Sequence, residues 1–472
     1  MTTFNRRGFI KGTAAGAAAG LVPGLSIAGG AGENDQILIY LYLRGGIDGL
    51  SIYAPGNGHP DRGHYENLRP SPSVRLPVNG PNAMVSLADG FGMNNAAAPL
   101  RELWQDDDLA IVHATGLPIV NRSHFEAQRF MELGTPGATV GVLNGGQIDG
   151  VRTTSTGWLT RHLATAENLP LDMTMPVVAT ESQVPLSLTN EPSAVTLRSP
   201  GNFDLDLGGS IQELEEECEE SLLNIYASDG TDSGIAGEQA LIAQALVEGI
   251  FDLSNKDYNL AISPASDRYP VQDGNNNLEP ISDKLITLER LIKADIDLRI
   301  AQLDQGGWDD HASMGSLPQG VNGSSGNFHK RMDVTARAVA AFWGQMTNNQ
   351  KNKITLVMHS EFGRRAFNNA DNGTDHGSGN PMLVLGGNVN GGQFFGDWRG
   401  MGPDDLYRNQ DIQTTTDFRR VLSEILIRRH GNNKLGMVFP YYYNYTPMGI
   451  VNGTDIRPDY SPADEITIDG FE

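Results

Sequence analysis

The fold is decided by the stretch QILIYLYLRGGIDGLS, residues 36–51. Its apolar run from Ile37 to Leu43 has the length and the β-branched and aromatic content of a strand buried on both faces. The run is followed by two glycines and then by Asp48. Because open α/β sheets bind ligands just past the carboxyl ends of such strands, the stretch predicts an α/β domain with Asp48 at its ligand site.

Strands and helices alternate along the rest of the chain. Three more apolar runs predict strands, at 109–114 (LAIVHA), 354–358 (ITLVM) and 382–385 (MLVL). Apolar residues recur at helical spacing in 337–346 and in 417–429. This alternation predicts an α/β fold with a mostly parallel central sheet flanked by helices.

The domain organisation is inferred from shifts in composition. Residues 36–440 are predicted to form the α/β domain. Within them, 135–275 is rich in Thr, Ser, Gly and acidic residues, has helical pieces at 211–226 and 237–253, and separates core strands, which predicts an inserted cap region. Residues 441–472, which contain several aspartates, are predicted to be a peripheral C-terminal extension.

The N-terminus has the pattern of an export signal. Arg6 and Arg7 precede Phe9 and a weakly apolar Ala/Gly run that ends near Ala31. This pattern predicts a twin-arginine signal peptide over residues 1–31 and a periplasmic or secreted protein. It does not predict a membrane span, because the run is short and rich in glycine. A chance Arg-Arg pair in an unstructured start is the alternative explanation.

Composition and charge narrow the range of partners. The 472 residues include 34 Lys and Arg against 57 Asp and Glu, a formal net charge of −23. Because basic residues form no run beyond isolated pairs, binding to nucleic acid or to an anionic membrane surface is not expected. The single cysteine, Cys218, excludes an intrachain disulfide. The sequence identifies no protein partner.

Carboxylates and imidazoles recur in glycine-rich loops and directly after predicted strands. Besides Asp48, they are Asp309 and His311 in GGWDDH, His359 and Glu361 in HSEFGR, and Asp375 and His376 in GTDHGSGN. Oxygen and imidazole ligands together suit zinc, manganese or iron better than calcium. The set therefore predicts a divalent metal site, with zinc as the first expectation and manganese or iron as alternatives. Any single Asp-His pair is also explained by a turn that bonds its own backbone.

Ser123 lies at the predicted start of a helix, in NRSHFEAQRFME. Free N–H groups at a helix start attract anions, so Ser123 is a candidate nucleophile. Ser123 and Glu126 also fit a capping box, in which the serine is only a cap. The adjacent His124 is an alternative phosphoryl acceptor or metal ligand.

Three arginines are candidate clamps for the oxygens of a phosphate or sulfate group: Arg44, Arg122 and Arg364. A surface salt bridge would explain each of them equally well.

Six segments together carry a family resemblance: LRGGIDGLS, NRSHFEAQ, GGWDDHA, SEFGR, GTDHGSGNPMLVLGG and TTDFRRVL. From about residue 36 to residue 440, the chain resembles the exported bacterial family called domain of unknown function 1501. That family in turn resembles the alkaline phosphatase and sulfatase superfamily. The resemblance implies an alkaline phosphatase-like fold, with a metal site and a hydroxyl nucleophile.

The resemblance also implies a role for each matching position. The implied roles are Asp48 as the first-strand metal carboxylate, Ser123 as the nucleophile, Asp309 and His311 as a ligand pair, Glu361 as the carboxylate after a core strand, and His376 as the final ligand histidine. In one departure from the superfamily, Phe362 stands where an imidazole is expected. Whether His359 replaces that imidazole stays open, because in a continuing strand it would face the opposite way from Phe362.

Two functions are compatible with these observations. The first is an exported metal-dependent hydrolase of phosphate or sulfate esters that uses Ser123, with a small anionic ester as substrate because the acidic surface repels polyanions. The alternative is an exported binding or cell-surface assembly protein that retains the fold without catalysis. The two differ in whether Ser123 and the ligand residues surround one open coordination position.

Overall fold

The computed structural model describes residues 34–461, apart from 138–140, 144–145, 149–153, 168, 170–172, 174, 199, 204–211, 230, 252–267, 272–278 and 316–326. The predicted signal peptide and the last part of the predicted C-terminal extension lie outside these residues.

The described residues form strands, helices and a few short 3₁₀ turns. The strands are β1 (Ile37–Leu43), β2 (Tyr53–Pro55), β3 (Val85–Ser86), β4 (Phe91–Met93), β5 (Leu109–Gly116), β6 (Gly141–Leu143), β7 (Gly146–Ile148), β8 (Val177–Ala179), β9 (Ala194–Thr196), β10 (Ile300–Gln305), β11 (Ile354–His359), β12 (Asn380–Gly386), β13 (Phe394–Phe395) and β14 (Thr416–Asp417). The helices are α1 (Arg62–Leu68), α2 (Ala98–Gln105), α3 (His124–Glu132), α4 (Trp158–Thr165), α5 (Gln212–Ser228), α6 (Asp232–Phe251), α7 (Pro280–Lys293), α8 (Asn327–Gly344), α9 (Asn348–Lys353), α10 (Phe418–Arg428) and α11 (Leu435–Val438).

Nine of these strands build one central sheet. Their order is β13, β5, β12, β11, β1, β10, β8, β9, and β14 also pairs with β5. Among the described strands of this sheet, β12 alone runs antiparallel to its neighbours, which are β11 and β5. β1 pairs in parallel with β10 and β11 on its two sides. The mostly parallel central sheet predicted from the sequence is therefore confirmed.

The two faces of β1 explain why its sequence is apolar throughout. Successive side chains of a strand point to opposite faces of the sheet. Ile39 and Leu41 lie in one hydrophobic core, and Tyr40 and Tyr42 lie in the other. Residues of α2, α7 and α8 complete the first core, and residues of α3, α4 and α10 complete the second. Helices thus cover both faces, as predicted, and β1 lies at the centre of the sheet.

The predicted strands and helices are confirmed, with ends that differ by a few residues in most cases. The strands predicted at 109–114, 354–358 and 382–385 are β5, β11 and β12. The helix predicted at 417–429 is α10. The largest difference is in α8, which begins at Asn327, well before the predicted 337–346.

The region predicted as an inserted cap, 135–275, contributes to the central body. Two of its strands, β8 and β9, extend the central sheet beyond β10. In α6, the side chains of Ala243, Val247 and Phe251 lie in the first hydrophobic core. The polar composition of this region therefore does not mean that the region lies outside the hydrophobic core and the central sheet.

The described part of the predicted C-terminal extension, residues 441–461, packs against the same body. Tyr442, Ile450 and Val451 lie in the core that contains Tyr40. Val451 also forms a β-bridge with Val389, which follows β12. This segment covers the second face of the sheet rather than standing apart from it.

Candidate metal centre

The candidate site lies at the carboxyl end of the parallel strands. The loop after β10 carries Asp309 and His311, and the loop before β12 carries His376. The segment after β5 leads into α3, which begins at His124. Because the carboxyl ends of parallel strands meet at one edge of a sheet, these three segments converge.

Four side chains meet around one carboxylate oxygen. Oδ1 of Asp309 lies 3.0 Å from Nε2 of His311, 3.3 Å from Nε2 of His376 and 3.4 Å from Nε2 of His124. Nε2 of His311 lies 2.9 Å from Nε2 of His376. Ligands about 2.0–2.1 Å from a tetrahedral zinc ion are separated by roughly 3.3 Å, so each of these four contacts has a length close to that between neighbouring metal ligands.

The outer nitrogens of the three imidazoles each meet an oxygen atom. Nδ1 of His124 lies 2.8 Å from Oε1 of Glu361, and Nδ1 of His376 lies 2.8 Å from the carbonyl oxygen of Arg122. Nδ1 of His311 lies 3.4 Å from Oδ1 of Asp375. A carbonyl or carboxylate oxygen only accepts, so Nδ1 of His124 and Nδ1 of His376 carry the proton and donate.

In their neutral forms, the inner nitrogens of His124 and His376 are consequently acceptors that face an anionic oxygen. Nε2 of His311 lies within hydrogen-bond distance of both His376 and Asp309. In His124, Nε2 is buried and has no hydrogen-bond partner. The ligand atoms of His124, Asp309 and His376 all lie within 4.8 Å of one another. Lone pairs that converge in this way repel one another unless a cation lies between them, and metal-binding histidines show the same outer contacts to oxygen. The residues present therefore fit a divalent metal ion such as zinc.

The electrostatics of Asp309 and His376 favour the forms of these two side chains that can bind metal. Burial acts to raise the pKa of Asp309, but the hydrogen bond and charge of Arg364, with the nearby imidazoles, lower that pKa to about 2. Burial and the charge of Arg364 lower the pKa of His376. At neutral pH, Asp309 is thus ionised and His376 neutral, which are the forms that bind metal. The side chains of Asp309 and His311 are 46% and 44% exposed, so the cluster opens to solvent.

Glu361 touches the cluster from outside. Its side chain is fully buried, and its Oε1 accepts from Nδ1 of His124, from Nε2 of Gln128 at 2.8 Å and from the backbone N–H of Gly45 at 2.9 Å. The hydrogen bond that His124 donates to Glu361 raises the pKa of His124. The structure thus places the predicted ligands Glu361 and Asp375 against the outer nitrogens of histidines rather than beside Asp309.

The structure does not bring Asp48 into the cluster. Its Oδ1 accepts from Nη2 of Arg69 at 2.9 Å and from the backbone N–H of Ser51 at 3.2 Å. Its Oδ2 accepts from the hydroxyl of Thr374 at 3.0 Å. The Asp48 side chain is 1% exposed and that of Arg69 is fully buried, so this carboxylate belongs to an internal ion pair.

His359 also lies apart from the cluster. It is the last residue of β11, and its ring stacks on Phe418 of α10 with 6.0 Å between ring centroids. Burial lowers the pKa of His359 to about 3, and neither ring nitrogen has a hydrogen-bond partner. Phe362 faces the cluster instead, with its ring centroid 4.8 Å from those of His124 and His376. The phenyl ring is an apolar wall at the position where an imidazole was expected.

The three candidate arginine clamps differ in what they contact. Arg364 is fully buried and donates to the carbonyl oxygens of Gly45, Gly46, Trp308 and Thr374 as well as to Asp309. Arg44 forms ion pairs with Glu132 and Asp304. Arg122 pairs with Asp411, is 28% exposed and has a buried Nε with no hydrogen-bond partner. The first two arginines connect loops and helices, whereas Arg122 retains an unused donor beside the cluster.

Ser123 precedes α3 without capping it. Its side chain makes no capping hydrogen bond, and its backbone N–H donates to Oδ1 of Asn121 at 2.9 Å. Nδ2 of Asn121 donates to Glu126, so the predicted capping box is wrong. The Ser123 side chain is exposed, and the next residue in sequence is His124 of the cluster.

Sequence reasoning missed two residues near the site. Gln128 donates to Glu361, and Arg365 lies 3.7 Å from Asp375, a loose ion pair. A signal for Gln128 was present, since His124, Gln128 and Glu132 recur every four residues and so share one face of α3. For Arg365 the sequence offers no comparable signal, because its contact depends on how the loop before β12 folds back.

Comparison with known families agrees with the predicted export. The family described as Protein of unknown function (DUF1501) matches residues 35–432. The TAT (twin-arginine translocation) pathway signal sequence matches residues 3–23, which confirms the prediction of a periplasmic or secreted protein. No helix in the part of the chain that the structure describes is long and apolar enough to cross a membrane. No curated protein matches the chain.

Proposed function

Because the chain belongs to the family described as Protein of unknown function (DUF1501), whose description names no activity, we propose a function from the site itself. The proposal is an exported metal-dependent hydrolase of small phosphate or sulfate esters. Four residues hold the metal: His124, Asp309, His311 and His376.

The observation that carries the proposal is the orientation of the imidazoles. His124 and His376 each donate from Nδ1 to an oxygen and turn Nε2 toward the ionised Asp309. Three imidazoles and one carboxylate favour zinc, with manganese or iron as alternatives. Such a metal, when bound, polarises an ester oxygen and neutralises charge on the transferred group.

The residues next to His124 supply the remaining groups. The Ser123 hydroxyl attacks the phosphorus or sulfur atom, the alcohol leaves, and water then releases phosphate or sulfate from the serine. The first N–H groups of α3 and the unused donor of Arg122 contact the anionic oxygens. A small ester fits better than a polyanion, because the chain carries a net charge of −23.

The proposal extends to the fold. A mostly parallel sheet, flanked by helices and with candidate ligands at the carboxyl ends of its strands, supports an alkaline phosphatase-like architecture. The ligand set differs from the one that the resemblance implied, because Asp48 lies elsewhere, Glu361 contacts the outer nitrogen of His124, and His124 takes part.

Metal analysis of the protein purified from its native export route tests the proposal. We expect about one zinc, manganese or iron ion per chain, and loss of that ion in the double variant Asp309→Ala, His376→Ala, because two of four ligands are gone. The matched control is His64→Ala, Asp371→Ala, which removes one exposed imidazole and one exposed carboxylate outside the cluster. Metal in the wild type and control but not in the cluster variant justifies an ester screen, with Ser123→Ala as the inactive reference.

Protein that holds no metal and takes none up on addition would contradict the hydrolase proposal. That result favours the second candidate, an exported binding or cell-surface assembly protein. One observation already speaks for this alternative: the contacts of Arg44 and Arg364 are internal, so neither arginine is available to clamp an anion.

A further inference from the structure

We propose that Arg44, Gln128 and Glu361 form a positioning relay that keeps the proton of His124 on Nδ1 and so aims its Nε2 at Asp309. The inference rests on the proposed function in that it explains how one metal ligand is oriented. In this relay Arg44 does not clamp an anion and Glu361 does not bind the metal, which were the roles predicted for them from the sequence.

Glu361 is the residue of the relay that touches the imidazole. It lies two residues after the end of β11, and its neighbour Ser360 has a hydroxyl 3.0 Å from Oε2. The backbone N–H of Gly45 and the amide of Gln128 hold Oε1 from two further sides. The carboxylate is therefore fixed by the sheet edge and by α3, and its contact with His124 is set by the fold.

Gln128 connects Glu361 to Arg44, and its amide has one allowed orientation. Oε1 of Gln128 lies 3.1 Å from Nη1 of Arg44, which only donates. Nε2 of Gln128 lies 2.8 Å from Glu361, which as a carboxylate only accepts. A flipped amide would place two donors together at one end and two acceptors at the other. Arg44 thus determines which end of the amide faces Glu361.

Arg44 anchors the relay to both the helix and the sheet. Its Nη1 and Nη2 lie 3.1 and 3.0 Å from the two oxygens of Glu132, the last residue of α3. Its Nε contacts Asp304 near the end of β10, at 2.5 Å. Because His124, Gln128 and Glu132 lie one above another on α3, the fork of Arg44 sets the helix position relative to β1.

Histidine tautomers in the metal-free full-length chain give a direct test. With ¹⁵N-labelled histidine, and at a pH high enough for the His124 imidazole to be neutral, we expect His124 to carry its proton on Nδ1. In Glu361→Gln the new amide offers a donor as well as an acceptor, so the Nδ1–H share should fall. Gln128→Leu removes both amide contacts and should shift the share in the same direction.

Zinc titration of the same proteins is the second readout. Loss of an outer contact to a ligand histidine lowers metal affinity by about 10- to 100-fold, which is the expectation for Glu361→Gln. The control Glu126→Gln lies on the exposed side of the same helix and should change neither the tautomer nor the zinc affinity. Should Glu361→Gln fail to fold, Gln128→Leu carries both measurements.

The relay is overturned if His124 in the wild type carries its proton on Nε2, or if both relay variants keep the wild-type tautomer. A wild type with the expected tautomer that takes up no zinc supports the relay and contradicts the proposed function. The two inferences therefore fail on different measurements.

Discussion

The turns after β1 and β10 share one local pattern, yet their aspartates end in different surroundings. The first turn is Arg-Gly-Gly-Ile-Asp, ending at Asp48, and the second is Gln-Gly-Gly-Trp-Asp, ending at Asp309. The apolar residues Ile47 and Trp308 are both buried. The side chain of Asp48 is 1% exposed, whereas that of Asp309 is 46% exposed. The pattern places a carboxylate at the sheet edge but does not determine its partner.

Segments that are distant in sequence determine the different surroundings of Asp48 and Asp309. Arg69, which follows α1, reaches Asp48 and also donates to the carbonyl oxygens of Arg365 and Ala366. Asp309 instead meets imidazoles from three separate segments, besides Arg364. One aspartate is therefore part of the internal scaffold, and the other is part of a site open to solvent. Three predictions test this contrast, in order of expected effect.

The largest effect is expected for Arg69→Leu. This change leaves Asp48 as a buried charge without its counter-ion, which costs about 3–5 kcal/mol of unfolding free energy. Chemical denaturation of the metal-free protein measures the loss. Asp309→Asn should cost less, because its partner Arg364 keeps its bonds to backbone carbonyls and the site is open to water.

A double variant sharpens this result. Asp48→Asn combined with Arg69→Leu removes both charges and should be more stable than Arg69→Leu alone. An Arg69→Leu protein as stable as Asp309→Asn would show that the two aspartates do not differ in the way described.

The second contrast concerns the first glycine of each turn. Gly45 has a φ of +125°, and a Cβ there would lie 2.5 Å from the backbone nitrogen of Asp309. Gly306 has no positive φ, and a Cβ added there would have nothing within 4 Å. Gly45→Ala should therefore cost at least about 1–3 kcal/mol of unfolding free energy, whereas Gly306→Ala should stay within about 0.5 kcal/mol of the wild type. Equal losses in thermal or chemical unfolding would contradict the close approach of the two turns.

The central sheet was largely predictable, because its long strands carry their own signal. The apolar run of β1 and those of β5, β11 and β12 identify buried strands wherever they pair. The three-residue strands β8 and β9 carry no such signal: β8 pairs with β10, more than a hundred residues away in sequence, and β9 pairs with β8. Local composition therefore gave no sign that part of the predicted cap region joins the central sheet.

The candidate site was predictable in part for a related reason. Residue type and loop position drew attention to Asp309, His311 and His376, which the structure brings together. The same criteria selected Asp48 and His359, whose surroundings depend on Arg69 and Phe418 from distant segments. His124 lies in a helix start, where its neighbour Ser123 offered the more familiar explanation.

The smallest stability effect is expected for two serines, Ser51 near Asp48 and Ser123, which precedes His124. Ser51 is fully buried and its hydroxyl accepts from Nη1 of Arg69 at 3.1 Å, so Ser51→Ala leaves a buried donor unpaired and should cost about 1–3 kcal/mol. Ser123 is exposed and caps nothing, so Ser123→Ala should change the unfolding free energy by about 0.5 kcal/mol or less, below the roughly 1 kcal/mol of a capping serine.

The effects of the two serine variants on ester hydrolysis should have the opposite order to their effects on stability. If Ser123 is the nucleophile, Ser123→Ala removes ester hydrolysis while zinc binding and stability persist, because the hydroxyl holds neither the helix nor the metal ligands. Ser51→Ala lowers stability but leaves the reacting groups in place, so its activity, measured well below its unfolding temperature, should survive. An active, metal-loaded Ser123→Ala protein would remove the serine from the mechanism and leave the cluster of His124, Asp309, His311 and His376 as the part of the proposal that stands.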